Sequence, residues 1–219
     1  MQLTDADRAA FVAAYPGMRL APSTKVAGRL YEGDFHFHAG AVGRVDVEGH
    51  FELLILIPEG RHSLPAVWEI AERIERIPDN HVSSDGSLCL GTELSLRIVL
   101  GPNPTLMKFI ERCLIPYLAG TRWREDGDGS YINGELPHYE EGLITDYQEI
   151  LGVNGHEAIR QSLKLASLRR RVANKKTCPC HCGRRLGRCN LRFRLNKLRN
   201  SVPRSALSGI AEKVKRVSC

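Results

Sequence analysis

Cys89 lies in the segment Asp-Gly-Ser-Leu-Cys-Leu-Gly, which runs from residue 85 to residue 91. The thiol therefore stands between two leucines, with Gly86 three positions before it and Gly91 two positions after it. A thiolate attacks a carbonyl carbon only if the sulfur can be reached, and glycine allows the backbone to come close to a reacting centre. We therefore predict that Cys89 is a nucleophile.

The alternative is that Cys89 is a structural cysteine. Free cysteine is among the most buried residue types, and a Leu-Cys-Leu triplet would suit a strand of the core. The preceding segments favour the reactive role. Residues 51 to 58 have the apolar centre of a strand, and residues 66 to 70 form a second predicted strand after Pro65. The thiol would thus follow two strands, on a loop.

A second group of cysteines lies near the end of the chain, between residues 178 and 189. Cys178, Cys180, Cys182 and Cys189 offer sulfur ligands there, and His181 offers a nitrogen ligand. Such donors within a short segment suit zinc, because short loops can fold around a small ion that tolerates varied geometry. The alternative is a set of reduced surface thiols in a basic tail. We predict a structural zinc site.

The region around Cys89 resembles the centre of ubiquitin-conjugating enzymes. It contains a strand, an Ile-Pro-Glu sequence, a proline-led strand and a loop that enters Asp-Gly-Ser-Leu-Cys-Leu. The resemblance covers residues 1 to 152 and is strongest from Phe51 to Gly91. It implies an α+β fold in which helices flank an antiparallel sheet.

The chain departs from the family pattern at two places. In the family, a His-Pro-Asn turn precedes the cysteine, with its asparagine eight residues before the sulfur; here that position is His81, which follows Asp79 and Asn80. The Trp-Ser-Pro segment that often follows the cysteine is also missing. In both departures the chain resembles a bacterial branch of the family. Members of that branch occur beside ubiquitin-like modifiers, activating-enzyme-like proteins and JAB-type peptidases in antiphage operons.

This resemblance implies that Cys89 accepts a modifier's C-terminal carboxyl group as a thioester and transfers it to a target amine, in bacterial antiviral defence. The expected partners are a ubiquitin-like modifier, an activating-enzyme-like protein and protein substrates. One alternative is a noncatalytic variant that only binds a ubiquitin-like protein. Another is a nucleic-acid-binding adaptor that works through its basic tail.

Three further residues are candidates for the active site. His81 occupies the place of the family's asparagine, so its imidazole could stabilise the developing oxyanion, or it could only tie the loop to the backbone. Asp85 could attract or deprotonate an incoming lysine, but Asp-Gly is also an ordinary turn pair. His138 lies in a Glu-x-x-His segment similar to one in the bacterial branch, and it could equally be a helix cap or a surface residue.

The second cysteine group resembles the SEC-C zinc knuckle, whose pattern is Cys-x-Cys, eight residues, and then Cys followed by Cys or His. Cys178, Cys180 and Cys189 match this spacing, and a Gly-Arg-x-Leu-Gly-Arg sequence precedes Cys189. Asn190 stands where the last ligand is expected, and asparagine is a poor zinc ligand. Either Cys182 or His181 therefore completes the tetrahedron, or Asn190 is the fourth ligand and the site is weakened.

Charge divides the chain sharply. Residues 1 to 156 carry 13 basic and 23 acidic side chains, a net charge of −10, whereas residues 157 to 219 carry 18 and 2, a net charge of +16. We predict that the basic part docks an acidic protein, because the aromatic content is low for a base-stacking surface; the alternative is weak attraction of nucleic acid. No apolar run is long enough for a membrane span, and the acidic N-terminus lacks the pattern of a secretory signal, so we expect a cytoplasmic protein without membrane contact.

We predict three regions along the chain. Residues 1–154 form the catalytic domain, residues 155–177 a basic helical linker, and residues 178–219 the zinc knuckle with its basic tail. Within the first region, Asn103 and Pro104 predict the start of a helix whose apolar face continues to Leu118. Cys113 lies on that face, and we assign it to the core.

Overall fold

The computed structural model describes residues 4–22, 27–40, 46–60, 63–127 and 139–217. These residues form an α+β fold with a four-stranded antiparallel sheet and helices, which confirms the predicted fold class at this level. The chain divides into two compact units. The first comprises Met1–Gly91 and Pro104–Glu135, and the second comprises Thr92–Asn103 and Leu136–Cys219. The domain boundaries at residues 154 and 177 remain predictions.

The sheet of the first unit is a meander in which every strand pairs with the next one along the chain. Its strands are β1 (Met18–Leu20), β2 (Gly28–Ala39), β3 (Val47–Pro58) and β4 (Ala66–Glu69). Alternate side chains of β3 are buried, because successive residues of a strand point to opposite faces of the sheet. The register of β2 against β3 puts His36 opposite His50 on the exposed face.

Helices of the first unit pack on the buried face of this sheet. Helix α1 (Asp5–Ala14) begins at a capping box, in which Thr4 and Asp7 exchange side-chain and backbone hydrogen bonds. Phe11 of α1 is fully buried and meets the ring of Tyr31 edge to face, with 5.1 Å between the ring centroids. Aromatic packing thus holds α1 against β2.

A continuous helical segment follows in the first unit. It consists of α3 (Leu106–Phe109), a π-helical stretch (Ile110–Leu114) and α4 (Ile115–Glu125). Its first cap is Thr105, whose hydroxyl accepts the Lys108 amide at 3.2 Å, so the helix begins slightly later than Asn103 and Pro104 indicate. The π-helical stretch lies just before Pro116, whose missing N–H and bulky ring disturb regular α-helical hydrogen bonding.

The main elements in the described part of the second unit are helices. They are α2 (Glu93–Leu100), α5 (Tyr139–Leu151), α6 (His156–Ser167), α7 (Arg170–Ala173), α8 (Leu191–Ser201) and α9 (Arg204–Val217). Helix α6 packs against α8 and α9, and Leu163 and Leu207 are fully buried in the core of the unit. The buried carboxylate of Asp146 in α5 accepts hydrogen bonds from the hydroxyls of Thr92 and Ser95, which attach α2 to α5.

Candidate functional site

The Cys89 loop is bound to the edge of the sheet by backbone pairing. Val82 and Leu88 face each other in an antiparallel bridge, and Ser87 forms a second bridge with Trp68 of β4. The Leu88 amide also donates to the Val67 carbonyl at 2.8 Å. The loop therefore behaves as a short hairpin joined to β4, and its conformation does not depend on surface side chains alone.

This pairing exposes the Cys89 thiol. Val82 and Leu88 are buried, and the next residue, Cys89, is exposed. Its amide donates to the His81 carbonyl at 2.7 Å, which fixes the backbone at the position where the side chain turns outward. The observed exposure contradicts the alternative of a core cysteine, so the sulfur is accessible from outside the protein.

His81 has an unusual backbone conformation. It follows a 3₁₀ turn at Pro78–Asn80 and lies in the left-handed region, with φ of 52° and ψ of 46°. Its amide donates to the Pro78 carbonyl at 2.7 Å, and its own carbonyl accepts the Cys89 amide. Left-handed backbone is uncommon for residues other than glycine, although histidine, asparagine and aspartate adopt it more readily than most. The backbone of His81 thus reverses the chain and supports Cys89.

Side chains from α4 hold the turn before His81 in place. The Tyr117 hydroxyl donates to the Asn80 carbonyl at 2.6 Å, and the Arg124 guanidinium donates to the Asp79 carbonyl. The amide group of Asn80 in turn donates to the Glu75 carbonyl at 3.0 Å. Sequence reasoning missed Tyr117 because it lies on the apolar face of a helix. It missed Arg124 because an arginine near the end of a helix resembles an ordinary surface charge.

The carboxylate of Asp85 closes the turn of the hairpin. It accepts the Ser87 hydroxyl at 2.7 Å and the Ser87 amide at 3.0 Å, and these hydrogen bonds lower the pKa of Asp85. The backbone carbonyl of the same residue accepts the indole N–H of Trp68 at 3.2 Å. These contacts describe a turn residue, and a role toward an incoming amine remains a prediction.

Gly86 occupies a position that side chains rarely tolerate. Its φ is +81°, a left-handed backbone conformation, and a Cβ atom would meet Arg76 and Trp68 at 3.6 Å, which is ordinary contact. The need for glycine here therefore comes from the backbone and not from lack of space. His138, the remaining candidate of the active site, lies outside the described residues.

Cys113 provides an internal contrast to Cys89 within the first unit. It is 5% exposed, and burial raises the pKa of its thiol to about 11. The prediction that Cys113 belongs to the core is confirmed.

The second cysteine group forms a compact cluster. The sulfur atoms of Cys178, Cys180, Cys182 and Cys189 all lie within 4.8 Å of one another. Two of these distances are 3.2 Å, from Cys178 to Cys180, and 3.5 Å, from Cys180 to Cys189. Tetrahedral coordination with metal–sulfur bonds of about 2.3 Å requires sulfurs roughly 3.8 Å apart. The four cysteines could therefore hold a metal ion.

Backbone hydrogen bonds shape the loops that carry these sulfurs. The Cys178 amide donates to the Arg184 carbonyl at 2.9 Å, and Thr177 pairs with Arg185 in an antiparallel bridge. A 3₁₀ turn at Leu186–Arg188 then delivers Cys189 to the cluster. The two cysteine-bearing segments are thereby held side by side.

Cys182 provides the fourth sulfur of the cluster. A hydrogen bond from the Arg184 backbone, assisted by the Cys180 thiol, lowers the pKa of Cys182 to about 6. Burial acts in the opposite direction on Cys178 and raises its pKa. His181 and Asn190, the other candidates for the fourth ligand, are exposed, and His181 has a left-handed φ of 59°.

Neither a protein-family model, nor a curated protein, nor a solved structure matches this chain. Among the described residues, every helix is too short or too polar to cross a lipid bilayer. The exposed thiol and the four-cysteine cluster are therefore the features from which a function can be proposed.

Alkylation should distinguish the two cysteines of the first unit. We expect iodoacetamide at pH 8 to modify Cys89 in the folded protein and to spare Cys113, because a thiol with a pKa of about 11 is ionised in roughly one molecule per thousand at that pH. The thiolate fraction of Cys113 should then rise about tenfold per pH unit up to its pKa. Mass spectrometry of the two peptides measures both rates. Equal rates in the folded protein at pH 8 would contradict the assigned environments.

Proposed function

We propose that residues 1–154 are a ubiquitin-conjugating-enzyme-like domain and that Cys89 carries a ubiquitin-like protein as a thioester. The modifier would arrive from an activating-enzyme-like protein and leave to a target amine. The exposure of the Cys89 thiol on a hydrogen-bonded loop carries this proposal. The resemblance to conjugating enzymes of antiphage operons is the reason for proposing a role in bacterial antiviral defence.

The order of elements supports the proposed domain. A capped helix, a four-stranded antiparallel meander and a loop with the reactive cysteine follow one another along the chain. The same order is implied by the sequence resemblance around Ile57, Pro58 and Glu59. A noncatalytic variant would not need an accessible sulfur at this position, so the exposed thiol favours the carrier over the binder.

The first step exchanges one thioester for another. The Cys89 thiolate attacks the carbonyl carbon of the thioester on the activating protein, and a new carbon–sulfur bond forms. The tetrahedral intermediate then collapses, and the thiolate of the activating protein leaves. The free energies of the two thioesters are similar, so the step requires an accessible sulfur more than a strong catalyst.

The second step makes an amide. A neutral target amine attacks the thioester carbon on Cys89, a carbon–nitrogen bond forms, the Cys89 thiolate leaves, and the amine gives one proton to a base. Negative charge grows on the carbonyl oxygen before the thiolate leaves, and a donor directed at that oxygen lowers the barrier. We propose that the His81 imidazole is this donor, because the hydrogen bond between the backbones of His81 and Cys89 makes these residues neighbours.

We propose that the four-cysteine cluster holds a structural Zn²⁺ ion. Four thiolates are a common ligand set for structural zinc, and they leave no open position for a substrate. The buried Leu186 and Cys189 connect the cluster to the hydrophobic core of the second unit. A bound ion would therefore stabilise the packing of α7 and α8 around these loops.

Loading of Cys89 is the direct test of the carrier function. Incubation with an activating-enzyme-like protein, ATP and a ubiquitin-like modifier from the same genome should give an adduct that thiol reductants remove, because a thioester exchanges with added thiols. Cys89→Ala should abolish the adduct, and Cys89→Ser should give an oxyester that resists reductant. Gel electrophoresis with and without reductant measures both.

The matched control is Cys113→Ala, which removes the other cysteine of the first unit and should load normally. An adduct that persists in Cys89→Ala, or a failure of the unaltered protein to load, would overturn the proposal. Reaction of Cys89 with iodoacetamide checks that an inactive preparation still has an accessible thiol.

Substitution of His81 should separate transfer from loading. We expect His81→Ala to slow transfer to free lysine by about 10²- to 10³-fold, the usual effect of removing an oxyanion donor, while loading is preserved. His81→Asn should retain much of the transfer rate, because asparagine offers a donor and tolerates left-handed backbone. Single-turnover discharge of the loaded protein measures transfer. Equal losses in loading and transfer would instead indicate a purely structural residue.

Metal analysis tests the proposed zinc site. We expect one zinc ion per chain in the purified protein, and loss of that ion in Cys178→Ser, because the substitution removes a buried ligand. Cys89→Ser is the control and should keep the zinc. Cobalt substitution should give the visible absorption bands of a tetrahedral thiolate site. Normal zinc content in Cys178→Ser would contradict the assigned ligand set.

A further inference from the structure

A long segment of the second unit contains no acidic residue. Between Glu157 and Glu212 the sequence carries 15 lysine and arginine residues and no aspartate or glutamate. The first two basic residues pair with the acids at its borders: Arg160 with Glu157, and Lys164 with Glu212. From residue 169 to residue 204 the segment is basic, and it contains no carboxylate side chain that could neutralise this charge.

Most of these charges are on the surface. The exposed basic side chains are those of Arg169, Arg170, Arg171, Lys175, Lys176, Arg184, Arg185, Arg188, Arg194, Lys197 and Arg204. Within the described part of the chain, none of them forms an ion pair with a carboxylate. Like charges are also crowded together: burial, with the nearby charges of Arg170 and Arg204, lowers the pKa of Arg199. An external polyanion would relieve this repulsion.

The fold of the cysteine loops joins several of these charges into one strip. The backbone of residues 174 to 178 runs antiparallel to that of residues 184 to 187, and the Leu186 amide donates to the Lys176 carbonyl at 2.9 Å. The Arg192 guanidinium donates to the Gly187 carbonyl, so the start of α8 adjoins the same loop. Lys175 and Lys176 on one segment thus neighbour Arg184 and the following arginines on the other.

An exposed aromatic ring lies at the end of this strip. Phe193 is 59% exposed, and it is the one aromatic residue among the exposed large hydrophobic residues of the described chain. The Arg192 guanidinium lies 4.5 Å from the centre of its ring. An open ring bordered by arginines is the combination on which nucleic-acid bases stack while phosphates pair with the cations.

We propose that the surface formed by residues 169–176, the cysteine loops and the start of α8 binds single-stranded nucleic acid. Phosphates would pair with the lysines and arginines of the strip, and one base would stack on Phe193. The phosphate groups of a polynucleotide recur along its backbone and match an extended row of cations. An acidic protein partner would not need an exposed aromatic ring between two arginines.

Fluorescence anisotropy with a labelled 20-nucleotide oligothymidylate tests the proposal on the full-length, zinc-loaded protein. We expect the oligonucleotide to bind. The logarithm of its association constant should fall linearly with the logarithm of the salt concentration, with a slope of about −0.7 per phosphate contact. Phe193→Ala should weaken binding by about 5- to 150-fold at each salt concentration and leave the slope unchanged, because stacking releases no counterions.

Removal of charges from the strip should change the salt dependence of binding. Lys175→Gln with Arg188→Gln removes two exposed charges and should reduce the salt slope by about 1.4. The matched control, Arg29→Gln with Arg112→Gln, removes two exposed charges from the first unit and should leave the slope unchanged. Zinc content and circular dichroism check that each variant is folded.

Three outcomes would overturn the proposal. One is no binding at low salt; another is equal slope changes in the two double variants. The third is tighter binding to polyglutamate than to oligothymidylate with no effect of Phe193→Ala, which would identify an acidic protein as the partner. Because no part of this experiment uses Cys89, its failure is distinguishable from failure of the carrier function.

Discussion

The hydrogen bond from the Cys89 amide to the His81 carbonyl is the contact on which the exposed position of the Cys89 thiol depends. It closes the hairpin at a distance of 2.7 Å, directly after the bridge between Val82 and Leu88. Since side chains alternate along extended backbone, burial of Leu88 turns the next side chain outward. A shift of one residue in this pairing would bury the thiol and expose a leucine, so the register of a few backbone bonds decides whether the sulfur can react.

The left-handed backbone at His81 is part of the same constraint. It reverses the chain after the 3₁₀ turn so that the carbonyl of this residue points at the Cys89 amide. Such a conformation persists only where the surroundings hold it, and Tyr117 and Arg124 do so through the two preceding carbonyls. The backbone of residue 81 therefore supports the loop that carries Cys89.

Both cysteine sites present thiol sulfur, but under opposite physical conditions. Cys89 is an exposed thiol at the edge of a sheet, where an external reactant can reach it. The other four sulfurs face one another within 4.8 Å, two of them buried, and a bound ion would occupy the space where a substrate would otherwise have to enter. An accessible sulfur favours exchange of partners, whereas convergence of four sulfurs favours a closed structural centre.

A feature could be predicted from the sequence when the residues that form it lie close together in the chain. The cysteine cluster and the Cys89 turn are formed by residues close together in the chain, so spacing and glycine positions indicate both. The eight residues of α2 are too few for a helical periodicity to be recognised with certainty. Tyr117 supports a carbonyl 37 residues away, and no pattern near residue 117 reveals that contact. Phe193 belongs to the same class, because only the packing of α8 shows that its ring is on the outside.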